Sequence, residues 1–233
     1  MSLNRVASDN LSSEASSCAN LSAEKTLARG LEALGMACPE EIKRQLMAFI
    51  DLLHKWNRVY NLTAIRDKPK MVTHHLLDSM AVAPFLCGTD VLDVGSGAGL
   101  PGVPLALLLP ETRFVLIDSN AKKTRFLHQA KAELGLTNLT IETARVEDLP
   151  VTQTFDTVIS RAFTSISQFM LTSGAHCKPS GVIIAMKGEY PVAELQAMPG
   201  AYAVKAVLRL SVPFLNAQRH IVKIVPPPQA PSR

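Results

Sequence analysis

Residues 91–104 read Val-Leu-Asp-Val-Gly-Ser-Gly-Ala-Gly-Leu-Pro-Gly-Val-Pro. The run Val91-Leu-Asp-Val94 is short and mostly branched apolar, the pattern of a strand buried on both faces. Glycines at 95, 97 and 99 then end the strand with a backbone that carries no side chains. Such a turn lets the main chain come close against a ligand, and at the tip of a central parallel strand it suits a nucleoside-bearing one.

Two spacings overlap in this turn. Gly95, Gly97 and Gly99 give the Gly-x-Gly-x-Gly of S-adenosylmethionine (SAM) methyltransferases, with Asp93 just ahead of them. Gly97, Gly99 and Gly102 also satisfy the Gly-x-Gly-x-x-Gly dinucleotide fingerprint of NAD-dependent oxidoreductases. The helix that follows favours the first. A pyrophosphate needs backbone N–H donors at a helix N-terminus, and Pro101 and Pro104 delete two of them. SAM carries no phosphate and loses little by this.

Composition fits an ordinary enzyme. With 233 residues, 47% of them hydrophobic, the chain can bury one large core. No apolar run approaches the roughly 20 residues a membrane helix needs, so no membrane partner is expected. Residues 1–20 are rich in Ser and Asn and lack an apolar stretch, which predicts a disordered tail and no signal peptide. Cys18, Cys38, Cys87 and Cys177 are scattered, without a Cys-x-x-Cys pair, and read as reduced thiols in a cytoplasm. A net charge of +4 and an isoelectric point near 8.9 permit a nucleic-acid partner without demanding one.

Helical periodicity marks an extension before the glycine turn. Leu27, Leu31 and Leu34 recur at helical spacing up to Gly35. Pro39, Glu40 and Glu41 open a second helix whose stripe runs through Leu46, Phe49, Ile50, Leu53, Trp56 and Tyr60, aromatics that read as core. A third is expected from Pro69 towards Pro84. Its adjacent His74 and His75 point about 100° apart on a helix and make a poor metal site, so no metal is expected. From Asp90 on, strands and helices alternate. Strands are expected near 90–94, 113–118, 139–144, 155–160, 181–186, 201–211 and 218–225, with helices near 101–109, 121–134, 165–175 and 191–197. This is an α/β, Rossmann-like fold with a seven-stranded, mostly parallel sheet and an antiparallel C-terminal hairpin. The expected division is a tail (1–20), a helical extension (21–88), the core (89–226) and a Pro-rich tail (227–233).

In such a sheet the ligand sits at the carboxyl ends of the strands. Asp118, closing the second strand, can accept ribose hydroxyls; Val146 and Glu147, after the third, can frame an adenine edge. Arg161, after the fourth, falls where a transferred methyl would meet its acceptor. Arg145 and Arg161 are expected to flank the cleft from neighbouring strand ends. Lys43, Arg44, Lys55, Arg58, Arg66, Lys68 and Lys70, with Lys122, Lys123 and Arg125, suit a phosphate-tracking face, and equally a generic solvated one.

Five segments then carry a resemblance: Asn61-Leu-Thr-Ala-Ile-Arg-Asp67, His75-Leu-Leu-Asp-Ser79, residues 92–104, Ile159-Ser-Arg-Ala-Phe163 and Arg219-His220. In this order, across about residues 24–225, the chain resembles the bacterial RsmG (GidB) family. The resemblance implies a class I SAM-dependent methyltransferase acting on guanine N7 in 16S ribosomal RNA, bare or in the small subunit. It implies SAM contacts from Gly95, Leu100, Val146, Glu147 and Arg161, and gives Asn61, Arg145 and Arg219 to the RNA or the reacting guanine. The expected enzyme is a cytoplasmic monomer.

The chemistry agrees with that implication. Guanine N7 keeps a free lone pair at neutral pH, so attack on a sulfonium methyl needs positioning and electrostatics but no general base. No Ser/His/Asp or Cys/His constellation stands out. The Asn/Asp-Pro-Pro-aromatic motif of exocyclic-amine methylation is replaced by Ser160-Arg-Ala-Phe163, and Cys177 lies beyond the next helix from the site. An arginine can donate to guanine O6 while leaving N7 open.

Overall fold

The structure is a computed structural model, and it describes residues 21–161 and 163–226. The expected tails at 1–20, with Cys18, and at 227–233 lie outside the described residues. The strands are β1 (Asp90–Val94), β2 (Arg113–Ile117), β3 (Leu139–Glu142), β4 (Phe155–Ser160), β5 (Cys177–Lys187), β6 (Ala203–Arg209) and β7 (His220–Val225). They form one sheet in the order β3-β2-β1-β4-β5-β7-β6. β3, β2, β1, β4 and β5 run parallel, while β7 is antiparallel to both β5 and β6. Strand order reverses at β1, so the crevice for a ligand lies at the tips of β1 and its neighbours.

Helices cover both faces of the sheet and bury most of β1, β2, β4 and β7, while the edge strand β6 stays half-exposed. Along β2, Phe114 and Leu116 face one cluster while Val115 and Ile117 face the other, the alternation a pleat imposes. The first face is completed by the N-terminal helices α1 (Ala23–Ala33) and α2 (Glu40–Tyr60), which bury Leu27, Leu31, Leu46, Phe49 and Leu53 in the same cluster as Phe114. Burying each such side chain contributes about 1.5–3 kcal/mol, which holds the extension to the sheet. Trp56 meets Phe126 edge-on with ring centroids 5.7 Å apart, and Tyr60, 38% exposed, stacks on Trp56 at 5.1 Å. The stripe is therefore core as far as Trp56, and Tyr60 forms its rim.

The third helical segment, α3, differs from a plain helix. Lys68–Met71 and Asp78–Met80 are α-helical, and Val72–Leu77 between them is π-helical. Remaining helices are α4 (Gly102–Leu108), α5 (Ala121–Leu134), α6 (Ile166–Ser173) and α7 (Val192–Gln196). α5 matches its expected limits because both caps are local: Asn120 accepts from the Lys122 N–H, and Gly135 ends the helix in the left-handed region at φ 64°. β5 begins at Cys177, earlier than the expected 181. Pro179-Ser-Gly181 reads as a turn, yet in the fold it is an irregularity within the strand, between the pairs Phe155–Cys177 and Thr157–Val182. No helix among the described residues is long and apolar enough to cross a membrane.

Candidate active site

Two cavities sit side by side along the carboxyl ends of the parallel strands, divided by the tip of β4. The first, of about 350 Å³, is lined by Gly95 after β1, Asp118 after β2, Ala144–Glu147 after β3, and Ser160, Phe163 and Thr164 at the end of β4. The second, of about 400 Å³, is lined by Ile65, by His74, His75 and Asp78 of α3, by Arg161, by Met186–Gly188 at the end of β5, and by Arg219 ahead of β7. Ser160 and Arg161 are adjacent in sequence and line different cavities.

The glycine turn owes its shape to two buried carboxylates. Asp118 accepts from the Gly97 N–H through Oδ2 at 2.9 Å and from the Asn120 N–H through Oδ1 at 2.9 Å, with Lys123 Nζ 3.6 Å away. Asp93, fully buried, accepts from the Gly102 N–H through Oδ2 at 2.9 Å, while its Oδ1 has no partner. Burial pushes the Asp93 carboxyl up to about 7 against the opposing Gly102 hydrogen bond. The N–H groups of Val103 and Leu105 are bonded to Gly99 and Pro101 carbonyls. Every first-turn donor of α4 that the prolines leave is therefore spent inside the chain. A dinucleotide pyrophosphate finds no amide there, which removes the NAD reading.

The expected site residues divide between the cavities. Gly95 at φ 69° lines the first, where a Cβ built on it would meet nothing within 4 Å. Asp118, Arg145, Val146 and Glu147 line it too. Gly97, Gly99 and Leu100 do not. A Cβ at Gly99 would stand 2.6 Å from Val103 Cγ2, so that glycine serves helix packing, and Leu100 is buried in the core. Arg161 and Arg219 line the second cavity together. Asn61 lines neither: it ends α2 in the left-handed region at φ 49°, exposed, accepting from Arg66 Nη2 at 3.1 Å. The expectation that Arg145 and Arg161 flank one cleft from neighbouring strand ends is corrected here, because β2 and β1 lie between β3 and β4.

Several residues that shape the second cavity escaped the sequence reading. Asp78, whose side chain is 3% exposed, accepts from Arg161 Nη1 through Oδ2 at 3.3 Å and from Arg219 Nε through Oδ1 at 2.8 Å. Arg161 Nη1 also donates to the His74 carbonyl at 3.0 Å. His75 Nε2 lies 2.9 Å from Thr63 Oγ1, and its Nδ1 has no partner. Burial and the nearby Arg161 charge push this imidazole down to about 4, so it is neutral at pH 7. The signal was present: Asp78 is the one carboxylate in residues 71–85, and a buried carboxylate must be paired. Cys177 pairs with Phe155 at the far end of the sheet from both cavities, and burial pushes its thiol up to about 12. It is no nucleophile for this site.

The expected basic face is partly self-neutralised. Lys43 pairs with Glu40, Arg44 with Glu41 and Lys68 with Asp51, while Lys55, Arg58 and Lys70 are exposed. Among the described residues no group of three His, Cys, Asp or Glu could hold a metal.

Comparison with known proteins gives the family. The model of the family described as rRNA small subunit methyltransferase G matches residues 42–222. Ribosomal RNA small subunit methyltransferase G of Nitrosococcus oceani is 48% identical over 203 residues, covering 87% of this chain and 95% of that protein. Its counterpart in Pseudomonas aeruginosa is 48% identical over 197 residues, covering 84% and 92%. The crystal structure of TrmN from Thermus thermophilus superposes with a TM-score of 0.51 at 16% identity, over 64% of this chain and 48% of that one, a likeness of fold alone. The chain belongs to the ribosomal RNA small subunit methyltransferase G family.

Proposed function

We propose that this protein transfers the sulfonium methyl of SAM to N7 of one guanine in 16S ribosomal RNA of the small ribosomal subunit. The observation that carries this reading is the pair of adjacent cavities. One, at the tips of β1, β2 and β3, is nucleoside-sized and offers no helix amide to a phosphate. The other, across the tip of β4, is edged by two arginines. In this reading SAM lies in the first cavity against Gly95, with Asp118 towards its ribose and the Val146 backbone and Glu147 towards its adenine. Gly97, Gly99 and Leu100 set the turn beneath it. The guanine enters the second cavity, and Arg161, at the boundary, meets both the methyl donor and O6. Arg219, Arg145 and Asn61 serve the RNA around it, with residues 21–88 an extension to a core at 89–226. The enzyme acts as a cytoplasmic monomer on the bare RNA or the assembled subunit.

Chemically, the chain's residues hold and orient the acceptor and leave its nucleophilic atom unprotonated and unoccupied. No group has to remove a proton, because N7 attacks with a lone pair that is free at neutral pH; catalysis is positioning plus electrostatics. The neutral His75 adds no positive charge beside the two arginines. Titration calorimetry tests the first half of the reading: SAM and its demethylated product bind at micromolar levels and NAD gives no heat, whereas heat from NAD and none from SAM would overturn it. Borohydride and aniline treatment tests the second, since a 7-methylguanine position is cleaved. Intact RNA after confirmed methyl transfer would leave the cofactor right and the acceptor atom wrong.

A further inference from the structure

Asp78 joins three distant segments of the chain. Its carboxylate sits on α3, Arg161 follows β4 and Arg219 precedes β7, and each oxygen holds one guanidinium. With both oxygens engaged and the side chain 3% exposed, Asp78 faces the two arginines and not solvent. The arginines are 25% and 23% exposed and both line the second cavity. Arg161 is fixed twice, by Asp78 and by the His74 carbonyl, through a single nitrogen. That carbonyl belongs to the π-helical turn, whose wider register alters which carbonyls the helix itself uses.

We propose that Asp78 is a positioning residue for methyl transfer, holding Arg161 and Arg219 as a preset pair whose remaining N–H groups receive the target nucleotide. The proposal rests on the methyltransferase reading above. Two like charges side by side repel, and two long side chains lose rotamer freedom when a substrate immobilises them. One carboxylate between them removes both costs before the RNA arrives, the logic of a preorganised site. An Asp78 without its charge would leave the arginines in place in the chain but free to splay.

The deciding variant is Asp78→Asn, which keeps the shape and one oxygen acceptor and loses the charge. At saturating SAM and small subunits its single-turnover rate falls at least tenfold, while its far-ultraviolet circular dichroism stays native. The triple variant Asp78→Asn/Arg161→Ala/Arg219→Ala is at most threefold slower than Arg161→Ala/Arg219→Ala, since Asp78 acts through both arginines. A wild-type rate in Asp78→Asn overturns the proposal. So does a triple variant whose loss is the product of the Asp78→Asn loss and that of the two arginine replacements, or a loss of the native circular dichroism, which would make Asp78 a support of the whole fold. In ¹⁵N-arginine-labelled protein without RNA, a hydrogen-bonded Arg219 Nε–H resonance is present in the wild type and exchanges away in Asp78→Asn; no difference between the two overturns the proposal. If the wild type binds SAM but methylates no ribosomal RNA, the functional reading fails on its own, and these resonances still decide whether the pair is preset.

Discussion

Asp93 and His75 are buried titratable residues whose shifts oppose each other across the acid range. Asp93 stands near 7 in the fold against an ordinary 3.8, so the folded state holds a proton that the unfolded chain has lost. Its stabilising contribution is complete below about pH 4 and is lost as pH rises through 7. His75 stands near 4 against 6.5, so here the unfolded chain binds the extra proton, and stability is lost as pH falls below 6.5. Between pH 4 and 6.5 the two slopes cancel. In Asp93→Asn the unfolding free energy, measured in urea against the wild type, should therefore rise with pH by up to about 1.4 kcal/mol per unit; a pH-independent difference would mean Asp93 is ionised in the fold. The glycines give a second contrast. Gly95→Ala adds a methyl towards the first cavity and should weaken SAM binding with little loss of stability beyond the strain of its positive φ. Gly99→Ala drives a methyl into Val103 and Leu127 and should cost about 1–3 kcal/mol, a melting drop of several degrees. Equal effects on SAM affinity in both would contradict this division of roles.

At the scale of elements, the loop after α2 is held by one side chain. Asn57 is buried, accepts from the Thr63 N–H through Oδ1 at 2.8 Å and donates through Nδ2 to the Ile65 carbonyl at 3.2 Å. Thr63 Oγ1 in turn accepts from the Ile65 N–H at 3.2 Å and contacts His75. Asn57→Ala strips partners from two half-buried backbone groups and should cost about 1–3 kcal/mol. Hydrogen exchange should speed first at the Thr63 and Ile65 amides, with the β1 amides unchanged; uniform acceleration would mean that the loop is not a separate unit. This segment also shows what periodicity can and cannot reveal. The spacing of Leu46, Phe49, Ile50 and Leu53 was enough to place α2, and the Gly95–Gly99 turn was enough to place β1 and the first cavity. The π-helical turn had no such signature; in the fold its His74 carbonyl accepts from Arg161, a partner 87 residues away in the chain that local spacing does not reveal. The second cavity is lined by His74 and His75 of that turn and by Asp78 just after it, so its composition followed from a fold detail, and Asp78 was marked in the sequence only as the one carboxylate of residues 71–85.

For the molecule as a whole, the alternation of strands and helices was legible because each parallel strand is a short apolar run closed by a turn. Strand order was not, because it is decided by which faces pack. Hence Arg145 and Arg161, similar in sequence context, fall in different cavities on either side of β4. The N-terminal helices share the core of one sheet face and bring α3 to the second cavity. The site therefore needs both parts of the chain. Truncation before Asp90 should abolish methyl transfer and expose Phe114 and Leu116, giving an aggregating product; a soluble, active truncation would contradict that packing. The most direct measurement is methyl transfer itself. Small ribosomal subunits and bare 16S RNA from a strain lacking the enzyme are incubated with the protein and methyl-labelled SAM, and the RNA is digested to nucleosides. Label in 7-methylguanosine is expected, at no more than about one methyl per RNA; no label in either substrate, or label on an exocyclic amine, a ring carbon or a ribose, would contradict N7 transfer.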